Sequence, residues 1–85
     1  MNYRVEFASK AVKDLRSIPR AYQGKIINKA EALANDPYPR GCLKLKGPQE
    51  DFWRVRIGDY RILYQVDDSV KIIDIRRIGH RKGVY

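Results

Sequence analysis

The sequence has little of what metal and disulfide chemistry requires: one cysteine and one histidine in 85 residues. A lone cysteine cannot close a disulfide within the chain, and one histidine beside it does not make a transition-metal site. We therefore predict no metal and no cofactor. The sequence also lacks a stretch of ~18 apolar residues and an N-terminal signal-peptide pattern, so we expect a cytoplasmic protein with no membrane partner.

Motifs for nucleotide cradling and for nucleophilic catalysis are missing as well. Neither GxxxxGK[ST] nor GxGxxG occurs. Cys42 and His80 are far apart in the sequence, and the adjacent acids Asp67-Asp68 are most simply part of a turn. Basic residues are plentiful, with 18 Lys and Arg against 10 Asp and Glu, which gives a net charge of +8. This balance favours a nucleic acid or an acidic protein as partner.

The hydrophobic pattern and the length predict a single α+β domain over residues 1–85. We predict an N-terminal strand, a two-helix hairpin and then a three-stranded antiparallel meander, with the helices packed on one face of the sheet. Ser9 is the expected N-cap of the first helix, and Pro19 separates the two helices. The predicted strands cover residues 2–7, 52–57, 60–64 and 70–78, and the predicted helices cover residues 10–17 and 20–35.

The central hairpin is the most informative stretch, because a two-residue Gly58-Asp59 turn fixes its register. Side chains alternate between the faces of a strand. One face then carries a core set: Trp53, Val55, Ile57, Tyr60, Ile62 and Tyr64. The other face carries Arg54, Arg56 and Arg61, with Arg56 directly opposite Arg61. Like charges across an antiparallel pair are destabilising by a few tenths of a kcal/mol. A fold does not need this arrangement, whereas a polyanion site does.

Arg81 joins these three arginines as a fixed cation, with Lys44 and Lys46 in support. Two titratable side chains, His80 and Tyr85, lie near the C-terminal end of the sequence. This set suits metal-free cleavage of an RNA phosphodiester, in which a 2′-hydroxyl attacks its own 3′-phosphate. Guanidiniums grip the phosphoryl oxygens, and an acid–base group moves the protons. Nearby cations would lower the pKa of a tyrosine, and a histidine titrates near neutrality without help.

Each residue also has a plainer interpretation. Three arginines on an open sheet face can be a solvated surface, and Trp53 and Tyr60 fit a core better than a base-stacking platform. A terminal Tyr85 can be frayed. From the residues alone, the prediction is a basic α+β domain that binds phosphate.

Three motifs resemble one known family. They are KLKG at residues 44–47, WRVRIGDYRILY at 53–64 and IGHRKGVY at 78–85, after a YxVEF strand and a helical hairpin joined by proline. In this order they resemble the RelE/ParE family of toxins from type II toxin–antitoxin modules. RelE-type members are ribosome-dependent endoribonucleases that cut mRNA and leave a 2′,3′-cyclic phosphate. ParE-type members share the fold and poison DNA gyrase.

The resemblance also implies roles for individual residues. The two basic positions before the hairpin turn match Arg54 and Arg56, where the best-known members have lysines. Arg61, Arg81 and Tyr85 match the remaining catalytic positions, with Tyr85 as base or as a stacking partner. Arginine cannot lose its proton, so Arg54 and Arg56 can stabilise charge only. His80 stands where some relatives use an acid–base histidine, and it can replace or assist Tyr85.

The resemblance further implies the partners. A cognate antitoxin would lay an acidic, amphipathic segment over the basic groove or displace the C-terminal part of the toxin, and operator DNA would be bound only through that complex. The ribosome and its mRNA would be bound by Lys44, Lys46 and the basic face of the second helix, Lys25 and Lys29. We favour the RelE-type activity. Two alternatives stay open: a gyrase poison, and a non-toxic member that binds only antitoxin and operator.

Overall fold

The computed structural model describes residues 2–46 and 51–80. The elements are β1 (Arg4–Phe7), α1 (Ser9–Arg16), α2 (Arg20–Ala32), β2 (Leu43–Lys46), β3 (Asp51–Ile57), β4 (Tyr60–Asp67) and β5 (Ile72–His80). The strands form one sheet in the order β1-β5-β4-β3-β2, parallel between β1 and β5 and antiparallel elsewhere. The α+β prediction is confirmed. The difference is β2, which the proline- and glycine-rich surroundings had marked as part of a connection; the antiparallel meander therefore has four strands.

The helices begin and end close to the predicted positions. Ala8, not Ser9, is the N-cap residue of α1, and no side chain caps this end. Pro19 takes the N-cap position of α2. The second helix stops earlier than predicted because the backbone tightens after Ala32, with bonds such as Ala34 N–H to the Glu31 carbonyl at 3.0 Å. No helix within the described residues is long and apolar enough to span a membrane.

Both helices pack on one face of the sheet, here called the helix side. Ile26, Ala30 and Leu33 of α2 are buried there, together with Ala11 of α1. The sheet contributes buried side chains from its three longest strands: Val55, Ile62, Tyr64, Ile73, Ile75 and Ile78. Each fully buried large aliphatic side chain contributes about 1.5–3 kcal/mol. The predicted core face of the hairpin is thus the face that holds the sheet to the helices.

A β-bulge in β5 explains why its sequence alternates imperfectly. Tyr64 pairs with Ile75 but its neighbour Leu63 pairs with Arg77, so Arg76 is one residue too many. Ile75 and Ile78 both face the helices although they are three residues apart. The bulge therefore sends two successive arginines, Arg76 and Arg77, away from the core.

Helix α1 completes the edge of β5 that β1 leaves uncovered. The pairing of β1 with β5 ends at Phe7 and Ile75. Beyond it, the Asp14 carboxylate accepts hydrogen bonds from the Ile78 backbone N–H at 3.0 Å and from Arg77 Nε at 2.8 Å. Partial burial raises the pKa of Asp14, but these hydrogen bonds and the Arg77 charge outweigh it and hold the pKa below 3.8. A side chain thus satisfies an edge donor that a longer strand would have paired.

Candidate functional site

The central hairpin has the predicted register, from Ile57 opposite Tyr60 to Trp53 opposite Tyr64. Gly58 begins the two-residue turn with a φ of 58°, a conformation that glycine adopts without strain. Arg56 lies directly opposite Arg61. The two guanidiniums therefore emerge side by side, on the face of the sheet away from the helices.

We call the surface formed by Arg54, Arg56 and Arg61 the arginine face. Neither Arg54 nor Arg56 forms an ion pair with any of the described residues. The Nε atom of Arg54 is buried and has no hydrogen-bond partner within residues 2–46 and 51–80. A buried donor without a partner costs about 1–3 kcal/mol. An anion bound on this face would remove that cost and offset the repulsion between the facing arginines.

The same face of the sheet carries paired charges toward its other end. Arg77 pairs with Leu63, beside the arginine face, and Arg76 forms a 2.9 Å ion pair with Asp74. Asp74 in turn lies opposite Glu6 of β1, which forms a 3.0 Å ion pair with Arg4. The carboxylates at that end weaken its attraction for phosphates relative to the Arg54–Arg56–Arg61 end.

His80 lies on the helix side, so the expectation that it joins the arginines is wrong. It pairs with Tyr60, and the two rings meet edge to face with centroids 5.7 Å apart. Tyr60 also contacts the ring of Tyr22, 5.6 Å away, at the mouth of a cavity of about 470 Å³. The bulge places His80 on the helix side, because the extra residue shifts the alternation of side chains in the last part of β5. Gly79 is therefore opposite Arg61, and His80 is opposite Tyr60.

Lys44 of β2 is also on the helix side. Lys44 lies opposite Trp53, with Nζ 5.8 Å from the ring centroid and 3.4 Å from Asp51 Oδ2. The prediction that Lys44 supports the arginines would place it on their face of the sheet. The structure has the reverse orientation: Leu43 pairs with Arg54 and is 50% exposed.

The remaining lysines predicted to bind RNA or the ribosome have the following places. Lys25 and Lys29 are on α2, and Lys25 lines the cavity beside His80. Lys46 ends β2. The structure thus does not bring Lys25, Lys29 or Lys44 to the arginine face.

Two predicted catalytic residues, Arg81 and Tyr85, lie outside the described residues. Among the described tyrosines, three have a displaced pKa, and each is raised. Burial raises the pKa of Tyr64, burial and the Asp68 carboxylate raise that of Tyr38 to about 12, and the hydrogen bond to Asp68 raises that of Tyr3. These shifts disfavour the phenolate, so none of the three is suited to be a base.

Sequence reasoning missed Arg76 and Arg77 as neighbours of the arginine face. Within the predicted strand 70–78, the adjacent pairs Ile72-Ile73 and Arg76-Arg77 interrupt the alternation of apolar and polar residues. A break in alternation within an otherwise regular strand is the signal that could have found them. No group of three or more His, Cys, Asp or Glu side chains in the described part of the chain could hold a metal ion.

Comparison with known proteins defines the class to which this fold and basic face belong. A family model described as the ParE toxin of the type II toxin–antitoxin system parDE matches residues 5–85. The chain belongs to the RelE/ParE superfamily of type II toxin–antitoxin toxins. Its sequence and structural relatives place it on the RelE-like branch.

Three of these relatives illustrate the similarity. The putative toxin RelE1 of Methanocaldococcus jannaschii is 36% identical over 88 residues, covering 100% of this chain and 97% of the relative. RelE in the archaeal RelE–RelB complex of Pyrococcus horikoshii is 34% identical, with a TM-score of 0.82 over 98% of this chain and 99% of that one. A chain of the RelBE2 toxin–antitoxin complex of Mycobacterium tuberculosis is 29% identical, with a TM-score of 0.84 over 95% and 100%.

Proposed function

We propose that this toxin is a ribosome-dependent mRNA endoribonuclease that works without a metal ion. The observation that carries the proposal is the arginine face, where Arg56 and Arg61 stand opposite each other and the buried Arg54 Nε has no hydrogen-bond partner in the described part of the chain. Folding alone does not require that arrangement, whereas the phosphoryl oxygens of a bound phosphodiester would accept hydrogen bonds from the guanidiniums and offset part of their positive charge.

In the proposed reaction the 2′-oxygen of one nucleotide bonds to the phosphorus of its own 3′-phosphate. The bond from phosphorus to the 5′-oxygen of the next nucleotide breaks. The products are a 2′,3′-cyclic phosphate and a 5′-hydroxyl; a base takes the 2′-hydroxyl proton and an acid protonates the departing oxygen. Arg54, Arg56 and Arg61 stabilise the charge that builds on the phosphoryl oxygens.

The acid–base work falls to the C-terminal residues in this proposal. Arginine keeps its proton, so the arginine face cannot supply the base. His80 lies on the helix side, away from a phosphate bound on the arginine face. We therefore assign the proton transfer to Tyr85 in preference to His80, with Arg81 adding positive charge that favours the phenolate.

The proposed partners use two different surfaces. The structural relatives include RelE–RelB complexes, which supports a cognate antitoxin as partner. An acidic antitoxin segment would cover the arginine face, and the complex would bind operator DNA. Lys25, Lys29 and Lys44 lie on the helix side, where they would contact ribosomal RNA while mRNA occupies the arginine face. Lys44 would exchange its ion pair with Asp51 for this contact, and Lys46 is proposed for the same role.

A second candidate function is gyrase poisoning, because the matching family model is named for ParE. Such a toxin needs a binding surface but no catalytic set. Between the two, the arginine face favours the nuclease, since three neighbouring guanidiniums can bind a scissile phosphate and stabilise the charge that develops on it.

Primer extension on a translated mRNA after toxin induction separates these functions. The proposal expects discrete 5′ ends within the translated region, and their loss in Arg61→Ala and Arg81→Ala while the proteins stay folded. DNA damage signalling without mRNA cuts would establish the gyrase activity. Induction with neither growth arrest nor cuts would mean that the chain binds only antitoxin and operator.

A further inference from the structure

A groove next to the arginine face has no role in the reaction as proposed. It has a volume of about 530 Å³ and lies between the start of α1 and the open side of the sheet. Its lining residues are Ala8, Ser9, Lys10, Phe52, Arg76 and Arg77. We call it the Phe52 groove. Its volume is in the range of sites that hold a small organic ligand such as one nucleotide.

The groove is continuous with the arginine face along β3. Phe52 and Arg54 are two residues apart on this strand, so both side chains are on the same face, about 7 Å from each other. One nucleotide step of an extended strand covers such a distance. A single-stranded RNA held by Arg54 can therefore place a neighbouring nucleotide in the groove.

The cations of the groove retain donors for a phosphate. Arg76 spends one guanidinium N–H on Asp74, at 2.9 Å, out of five. Lys10 forms no ion pair with any residue that the structure describes. Arg77 is held by Asp14, which positions it as part of the wall. The groove thus combines two available cations with one fixed cation.

Phe52 supplies the apolar element of the groove. Its ring is half-buried on a face whose other neighbours in β3, Arg54 and Arg56, are charged. The core of the domain is on the opposite face, so Phe52 has no part in it. Aromatic rings placed among cations are the usual platform on which single-stranded RNA stacks its bases.

We infer that the Phe52 groove is a second nucleotide subsite, which binds the RNA nucleotide next to the one that is cut. The base stacks on Phe52, and its phosphate contacts Lys10 and Arg76. This inference rests on the proposed RNA substrate, and it gives that substrate a second point of recognition away from the scissile bond.

The test is the binding of a labelled 2′-O-methyl RNA hexamer, which cannot be cut, to the isolated toxin by fluorescence anisotropy. Phe52→Leu keeps the apolar volume but removes the stacking surface, and should weaken binding about tenfold. Phe52→Tyr keeps a ring and should bind within about twofold of wild type. Arg76→Gln should weaken binding and lower the slope of log affinity against log salt by about one. Arg16→Gln, an exposed residue of α1 outside the groove, is the charge-matched control.

Hexamers with one abasic position make the test independent of protein folding. For wild type, one abasic hexamer should bind about tenfold more weakly than the intact hexamer. For Phe52→Leu, that same abasic hexamer and the intact hexamer should bind with equal affinity. Equal affinity of wild type for all abasic hexamers, or an unchanged affinity in Phe52→Leu, would overturn the inference. If wild type never cuts mRNA yet shows this base-dependent binding, the nuclease proposal fails and the subsite stands.

Discussion

At the scale of residues, the molecule places like charges where folding would avoid them. Arg56 and Arg61 face each other, and the Arg54 Nε is buried without a partner among the described residues. These features cost stability unless an anion is bound. His80, in contrast, is engaged with the Tyr60 ring on the helix side. The residue that looks most suitable for acid–base chemistry is thus separated from the cations by the sheet.

The first prediction concerns the base. His80→Gln should keep mRNA cleavage within about threefold of wild type, because position 80 does not face the bound phosphate. Tyr85→Phe should lose about 10²–10⁴-fold, the usual contribution of a positioned acid–base group. Single-turnover cleavage in a translation mixture measures both rates. The reverse pattern, with His80→Gln inactive and Tyr85→Phe active, would reassign the base to His80.

A second prediction at this scale concerns stability. Tyr64 is fully buried and its hydroxyl donates to the Pro37 carbonyl at 2.7 Å. Tyr64→Phe should lower the free energy of unfolding by about 1 kcal/mol, since the part-buried hydrogen bond to the Pro37 carbonyl is lost. Urea denaturation measures it. Tyr22→Phe, at a ring that is 46% exposed, should be neutral, and equal costs for the two would contradict this role of the Tyr64 hydroxyl.

At the scale of elements, the hairpin turn and the second helix offer a matched pair of glycines. Gly58 has a φ of 58°, whereas Gly24 lies within α2, and neither has a neighbouring atom within 4 Å of an added Cβ. Gly58→Ala should destabilise by about 1–2 kcal/mol through backbone strain alone. Gly24→Ala should stabilise by about 0.5–1 kcal/mol. Thermal unfolding of both variants tests the opposite signs; two shifts in the same direction would refute the argument.

The attachment of α1 to β5 predicts a pH dependence. The pKa of Asp14 is lower in the folded state than its ordinary 3.8, so the unfolded chain binds more protons. The stabilisation that the Asp14 carboxylate gives the folded state is therefore complete above pH 3.8. It disappears as the pH falls through the lower pKa that Asp14 has in the folded state. Asp14→Asn should cost about 1–3 kcal/mol at pH 7 and progressively less below pH 3.8.

Urea titrations of wild type and Asp14→Asn at pH 7 and in steps below pH 3.8 give this difference. Glu31→Gln, an exposed change on α2, is the control and should show no comparable difference. A cost of Asp14→Asn that stays constant across the titration would show that the Asp14 charge does not anchor α1.

The sequence predicts some elements well and others poorly. The hairpin register followed from a two-residue Gly-Asp turn and strict alternation, both local signals. The bulge at Arg76 did not, because an extra residue depends on how β5 meets both β4 and the end of β1. Because the bulge was not predicted, the face of the sheet on which His80 lies was not predicted either. β2 was not predicted as a strand because it is only four residues long and lies among the prolines and glycines of residues 37–48, although its partner strand β3 is close in the sequence.

At the scale of the whole molecule, the sheet separates two basic surfaces. The arginine face carries Arg54, Arg56 and Arg61, and the helix side carries Lys25, Lys29 and Lys44. A toxin that must hold an mRNA and a ribosome together can use one surface for each. The arrangement places the proposed chemistry on one side only, so losing a charge there should affect cleavage far more than losing a charge elsewhere.

The most direct measurement is cleavage of a 5′-labelled mRNA in a reconstituted translation mixture, with the new ends analysed chemically. Wild type should produce 5′-hydroxyl and 2′,3′-cyclic phosphate ends. Arg61→Gln should reduce the rate about 10²–10³-fold, the effect of removing one group that stabilises transition-state charge. Arg16→Gln, with the same change of net charge, should cut at the wild-type rate. Cleavage by Arg61→Gln as fast as by Arg16→Gln would contradict the assignment of the arginine face as the catalytic surface.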